Sequence, residues 1–165
     1  MKSIEAITKK IFSLEDLKKQ VASWRVTNKT IAFSNGCFDI LHEGHIFSLT
    51  EAAKEADYLI IGVNSDESVK KLKGPERPIN TEKSRSLLLS NLAIVDAVVI
   101  FNEDTPLELI KAILPDVIVK GGDYTVDQIV GSKEVIANGG KVVINPIVDG
   151  FSTTGIIQHI KGSFS

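Results

Sequence analysis

A single cysteine, Cys37, leaves no possibility of an internal disulfide and suits a reducing compartment. No apolar run approaches the ~20 residues that a membrane span needs. Basic residues lie near Met1-Lys2-Ser3, but Glu5, Lys9 and Lys10 interrupt any signal-peptide core. The formal net charge is only -2, so neither nucleic acid nor a membrane surface is favoured as a partner. Linkers long enough to divide domains, internal repeats and low-complexity tracts are all missing. So is G-x-G-x-x-G, which leaves a dinucleotide oxidoreductase poorly supported, and G-x-x-x-x-G-K-[ST], which excludes a P-loop. What these absences leave is a soluble cytoplasmic protein. At 165 residues it is one domain by default, and its 43% hydrophobic content fits a packed globule. A chain of this size buries roughly two-thirds of its unfolded surface, enough for an unaided core.

Against that background one stretch stands out: Ser34-Asn35-Gly36-Cys37-Phe38-Asp39-Ile40-Leu41-His42-Glu43-Gly44-His45. It follows an apolar run, Ile31-Ala32-Phe33, and ends where a helical pattern begins. A strand, a glycine turn and a helix start make a phosphate site in α/β proteins, because free backbone N–H groups there point at the ligand. His42 and His45 sit at that opening as candidate donors to a phosphate whose charge grows during a reaction. Gly44 between them permits close approach.

The rest of the chain alternates strands with helices. Ser13 caps a helix whose apolar stripe is Leu14, Leu17, Val21 and Trp24. A second helix runs from about Gly44 to Ala56, with Ile46, Leu49, Ala52, Ala53 and Ala56 facing inward. Strands are predicted near 30–34, 58–63, 97–101, 117–119 and 142–144. The near-continuous apolar run Tyr58–Val63 suits a parallel sheet covered on both faces. Lys70–Pro78 reads as a basic, mobile loop broken by two prolines. Thr81 caps a helix carrying Arg85, Leu88, Leu89 and Leu92. Asp149-Gly150-Phe151-Ser152-Thr153-Thr154 opens the last helix. The pattern predicts a Rossmann-like, doubly wound, five-stranded parallel sheet with helices on both faces. Ligands in such sheets bind beyond the carboxyl ends of strands, where strand order reverses. Four loops at that rim carry His42/His45, Asn64-Ser65-Asp66, Gly121-Gly122-Asp123 and Ser152-Thr153-Thr154. Imidazoles, a helix N-terminus and lysines suit phosphoryl or nucleotidyl transfer, which needs mostly positioning and charge stabilisation.

Gly36-Cys37-Phe38-Asp39-x-Leu41-His42-x-Gly44-His45 and Phe151-Ser152-Thr153-Thr154-x-Ile156-Ile157 resemble the cytidylyltransferase-like nucleotidyltransferase superfamily. Further matches resemble one branch, the adenylyltransferase domain of the bifunctional heptose enzyme of lipopolysaccharide precursor synthesis. These are Val63-Asn64-Ser65-Asp66, Leu72-Lys73-Gly74-x-x-Arg77-Pro78, Glu103-Asp104-Thr105-Pro106, Lys120-Gly121-Gly122-Asp123-Tyr124 and Gly131-Ser132-Lys133-Glu134-Val135. The resemblance covers nearly everything from 31 to 160. It implies that ATP and D-glycero-β-D-manno-heptose 1-phosphate give ADP-heptose and pyrophosphate. It further implies that His42 and His45 stabilise the α-phosphate and that Lys73 holds triphosphate oxygens. Ser152 and Thr153 would hydrogen-bond the β/γ-phosphates and Asp39 would orient the first motif, while Gly36, Cys37, Phe38, Asp39, Gly44 and Thr154 would belong to the nucleotide-binding set. Gly121 and Asp123 would line the nucleoside pocket, and Arg85 would face the phosphates. Mg²⁺ would be carried by the triphosphate, with no metal cage of the protein's own. A homodimer is expected from the resemblance. Residues 1–27 read as an N-terminal helical extension and 28–165 as the nucleotidyltransferase domain. No kinase half accompanies it in this sequence, so a separate heptose kinase is expected.

Departures from the cytidylyl branch concern three positions. Ile147 and Asp149 stand where that branch carries arginine and glutamate, and Ile94 stands for a second arginine. The alternative of a cytidylyltransferase acting on glycerol 3-phosphate or a related alcohol phosphate is weakened accordingly. A non-catalytic nucleotide sensor is the rival of another class, and the intact His-x-x-His with Lys73 speaks against it. Blander readings apply elsewhere: His159 as a surface residue, Cys37 as a small packing residue, and Trp24 as an anchor for its helix or a dimer contact.

Overall fold

Tyr58–Asn64 is apolar at nearly every position, and both of its faces are covered. Successive side chains of a strand point to opposite sides. Ile60 therefore joins one hydrophobic layer while Leu59 and Ile61 join the other. The computed structural model describes residues 4–146 and 150–163, and all its strands are parallel. The strands are β1 (Ile11–Phe12), β2 (Ile31–Gly36), β3 (Tyr58–Asn64), β4 (Ala97–Phe101), β5 (Val117–Gly121) and β6 (Lys141–Asn145), in the spatial order β1-β4-β3-β2-β5-β6.

The sheet thus has six strands where five were expected. The additional one, β1, is two residues long, too short to display any periodicity. It pairs with β4 through Ile11–Val98 and Phe12–Val99. The helix after it, α2, follows the short first helix α1; their bounds are Leu14–Val26 and Ile4–Thr8. Ser13 caps α2 as expected, its Oγ accepting from the Asp16 N–H at 3.1 Å. Leu17 and Val21 of α2 are buried in the same layer as Phe33, Ile60 and Val99. Each such burial is worth about 1.5–3 kcal/mol. The stretch read as an extension therefore contributes, through residues 11–26, an edge strand and a helix of the main core. Trp24 stacks on Tyr58 with ring centroids 4.2 Å apart, anchoring the far end of α2.

Helix α3 (Glu43–Ala53) covers the other face with Leu49 and Ala52, while Ile46, expected inside, is exposed. Helix α4 is Asp66–Lys73, so Lys70–Lys73, expected at the start of the loop Lys70–Pro78, are helical; Ser65 caps it by accepting the Ser68 N–H. Only the segment after it is irregular. Helix α5 (Glu82–Ser90) is capped by Thr81, and α6 (Leu107–Ile113) and α7 (Ser132–Ala137) bracket β5. The last helix is α8, Thr153–Ser163. The compared positions Ile147 and Asp149 lie outside the described residues. Among the described residues no helix is long and apolar enough to cross a membrane. The chain runs β2-β3-β4 in one direction and resumes on the other side of β2 with β5-β6. Strand order reverses between β2 and β5, which directs attention to their carboxyl ends.

Candidate active site

A cavity of about 350 Å³ opens at that rim, walled by Cys37, Phe38, Asp39, His42, His45, Lys73, Arg77 and Phe151–Thr154. Nine of the residues singled out from sequence meet there: Cys37, Phe38, Asp39, His42, His45, Lys73, Ser152, Thr153 and Thr154. A smaller cavity of about 180 Å³ adjoins it, sharing Cys37, Phe38 and His45 and adding Gly36, Ser48, Lys120 and Gly121.

The turn after β2 passes through Phe38, which has φ +48°, and reaches His42, the N-cap of α3. The His42 and His45 rings stack with centroids 3.8 Å apart and planes 27° from parallel. Phe38 leans on His45 from the other side at 5.3 Å. Gly44 makes this packing possible: a Cβ there would lie 3.1 Å from His42 Nδ1 and 3.1 Å from the Phe151 Cβ. The Nδ1 atoms of both histidines are enclosed without a hydrogen-bond partner among the described residues. Leaving such an atom unpaired costs about 1–3 kcal/mol.

Burial lowers the pKa of His42, and burial together with the neighbouring His42 lowers that of His45 to about 4. Both rings are thus neutral at pH 7, each holding one N–H to donate. This has a consequence for stability. In the unfolded chain His45 takes up a proton near its ordinary 6.5, whereas in the fold it resists until about 4. Below 6.5 the unfolded state binds more protons, so stability falls with falling pH across that window. Thermal melts between pH 7 and 4 are expected to show a steeper fall for the native chain than for His45→Gln, whose side chain does not titrate. Equal slopes would place the titration elsewhere.

Opposite the rings stands the start of α8. Ser152 Oγ accepts the Gly155 N–H at 3.0 Å, so it caps the helix while its own O–H remains a donor. Thr153 Oγ1 donates to the Ile40 carbonyl at 3.4 Å, tying α8 to the loop after β2. The positive end of the α8 dipole faces the same cavity as the imidazoles. Lys73, the last residue of α4, is exposed and makes no hydrogen bond or ion pair with a described residue.

Asp39 works differently from the others. Its carboxylate accepts from Arg77 Nε at 2.5 Å, from the Ile79 N–H at 2.8 Å and from the Asn80 N–H at 2.9 Å. Burial acts to raise its pKa, but the Asn80 and Ile79 amides and Arg77 outweigh it and hold the carboxyl below its usual value. Asp39 thus pins the segment after α4 to the turn after β2. Arg77, which the sequence reading left without a role, is its partner.

Arg85 is the clear correction. Expected to face phosphates, it has 0% exposure. Its Nη1 donates to the Cys37 carbonyl, Nη2 to Asp66 Oδ1 at 2.8 Å and Nε to the Asn80 carbonyl at 3.0 Å. A guanidinium spent on three protein acceptors and closed to solvent is a strut beneath the site. Asp123, expected at the nucleoside, is exposed and lines neither cavity. Burial pushes the Cys37 thiol up despite nearby Lys73, Arg85 and Arg77, so it is a neutral wall residue. His159 is on the surface, as read from sequence.

Comparison with known proteins agrees with this geometry. Residues 33–159 match the family described as cytidylyltransferase-like. The chain is 48% identical to the bifunctional protein HldE of Rhodospirillum rubrum over 96% of its own length and 32% of that protein. It is 51% identical to HldE of Caulobacter vibrioides, over 92% of this chain and 32% of the relative. For HldE of Hyphomonas neptunium the identity is 56%, over 85% and 29%. The chain therefore spans about a third of the length of these relatives. A crystal structure of a lipopolysaccharide core biosynthesis protein from Thermoplasma volcanium superposes with a TM-score of 0.59, at 32% identity, over 73% of this chain and 97% of the other. With the stacked histidines, the capped final helix and the parallel sheet all in place, the chain belongs to the cytidylyltransferase-like family of nucleotidyltransferases.

Proposed function

We propose that this protein transfers AMP from ATP to D-glycero-β-D-manno-heptose 1-phosphate, releasing pyrophosphate and forming ADP-heptose. The observation that carries the reading is the pair of stacked, neutral imidazoles that line one cavity together with the start of α8. An oxygen of the sugar phosphate attacks the α-phosphorus in line, and the bond from that phosphorus to the β-phosphate oxygen breaks. Negative charge grows on the α-phosphate oxygens, and N–H donors fixed there in advance lower the barrier. His42 and His45 supply these donors. Ser152, Thr153, Thr154 and the α8 N-terminus receive the departing pyrophosphate, with Lys73 closing on it from α4. The cavity of Gly36, Ser48 and Gly121 takes the nucleoside.

Mg²⁺ fits as a passenger of the triphosphate. The cavity's imidazoles, hydroxyls and ammonium suit the oxygens of a triphosphate that carries the metal. When bound it would neutralise part of the triphosphate charge. The reading places the enzyme in the cytoplasm as a homodimer, fed by a heptose kinase. It is tested by measuring pyrophosphate release while crossing ATP, CTP, GTP and UTP with heptose 1-phosphate, glucose 1-phosphate and glycerol 3-phosphate. ATP with heptose 1-phosphate is expected to give the highest kcat/KM. Release with CTP and glycerol 3-phosphate, and none with ATP, would reverse the assignment in favour of the cytidylyl alternative.

A further inference from the structure

Lys120 is a strand residue with no counter-ion. It stands near the carboxyl end of β5, largely withdrawn from water, and burial lowers its pKa. Its Nζ donates to the Asn35 carbonyl at 3.2 Å and to Asn35 Oδ1 at 3.3 Å. No described carboxylate lies within ion-pair distance. An ammonium has three N–H donors, and Asn35 takes two of them. A partly buried cation without an anion gains from a ligand that brings the missing charge.

Its position shows which ligand. Lys120 and Asn35 line the nucleoside-side cavity and also a second cavity of about 180 Å³, beyond it on the β5 side. That second cavity is completed by Pro106, Tyr124, Gln128, Ile129 and Val130. It is smaller than the ~300 Å³ at which drug-sized sites begin, so it takes a compact group. Its lining suits a polyol ring. Tyr124 presents a half-exposed aromatic face. Gln128 Oε1 is held by the Thr125 N–H at 2.9 Å, which leaves the amide NH₂ to donate.

We infer that Lys120 and Asn35 bind the anionic phosphate of the acceptor, and that Tyr124 and Gln128 hold its sugar ring in the cavity beyond. This deepens the nucleotidyl-transfer reading and rests on it. The ammonium at the junction of the two cavities would draw the acceptor phosphate towards the nucleotide and set its attacking oxygen. Lys120 is then a substrate-binding residue, separate from the His42 and His45 donors.

The test is steady-state kinetics with each substrate varied in turn. Alongside it, calorimetric binding of heptose 1-phosphate is measured with a non-hydrolysable ATP analogue present. Lys120→Met should raise the acceptor KM and Kd about tenfold or more, as expected for a lost charge-assisted hydrogen bond. Its ATP KM should move by less than about threefold, the split that marks an acceptor-only contact. Lys120→Arg should recover part of the loss. Unchanged acceptor KM and Kd in Lys120→Met, or an equal rise for ATP, overturns the inference. Should Lys120→Met fail to fold, Gln128→Ala and Tyr124→Ala at exposed positions decide, and an unchanged acceptor KM in both overturns it. Should the native enzyme prefer CTP and an alcohol phosphate, the heptose reading fails, and the same variants assayed against that phosphate still decide the role of Lys120.

Discussion

Replacing His45 with alanine is expected to cut kcat by about 10²–10³-fold, the usual cost of removing one preorganised donor to a developing oxyanion. ATP affinity should stay within a few-fold, because in the proposed reading Lys73 and the start of α8 also hold the triphosphate. His42→Ala should fall in the same range. The two rings touch at 3.8 Å and form one unit, so the double variant should lose much less than the product of the single losses. Folding should survive, since removing the rings also removes two buried nitrogens that lack protein partners. The comparison that isolates chemistry is single-turnover rate at saturating ATP, with His159→Ala on the surface as an inert control. A His45→Ala enzyme turning over at the native rate would remove the imidazoles from the mechanism.

Arg85→Met is expected to act on the fold. The change strands three acceptors: the Cys37 and Asn80 carbonyls and Asp66 Oδ1. Breaking a buried ion pair from one side costs about 3–5 kcal/mol. The Asp66 side chain keeps 31% exposure, so water can partly replace the guanidinium. That places the loss near the lower end, about 3 kcal/mol. For a chain of this length the melting temperature should drop by about 6–12 °C. Arg85→Lys should recover little, because an ammonium cannot reach three acceptors that a planar fork satisfies together. Urea denaturation gives the free energy. ATP titration of the folded variant separates a strut from a phosphate ligand, since a strut leaves nucleotide affinity within a few-fold.

Arg85 also shows what sequence reasoning cannot reach. A charged residue on a polar helix is normally solvated, and nothing in Glu82–Ser90 marks one side chain as wholly enclosed. Only the convergence of three distant segments on it does that. Helix α4 was obscured for a related reason: Lys70, Lys71 and Lys73 read as a basic loop, while the two inward residues Ser68 and Val69 are too few to set a period. By contrast β2 to β6 were legible because parallel strands covered on both faces are continuous apolar runs. The histidine turn and the final Ser-Thr-Thr were legible because strand ends and helix starts are where such a sheet puts ligands. Lys120 lay inside a matched motif, but its missing counter-ion exists only in three dimensions.

The two-residue strand at the margin has an effect beyond packing. A sheet border normally exposes a row of open amide and carbonyl groups that can recruit a foreign strand and seed fibrils. Here the outermost strand pairs with only Val98 and Val99 of β4 and is itself two residues long, so the row of open groups it presents is short. A strand that brief is a poor template for a further strand to pair with.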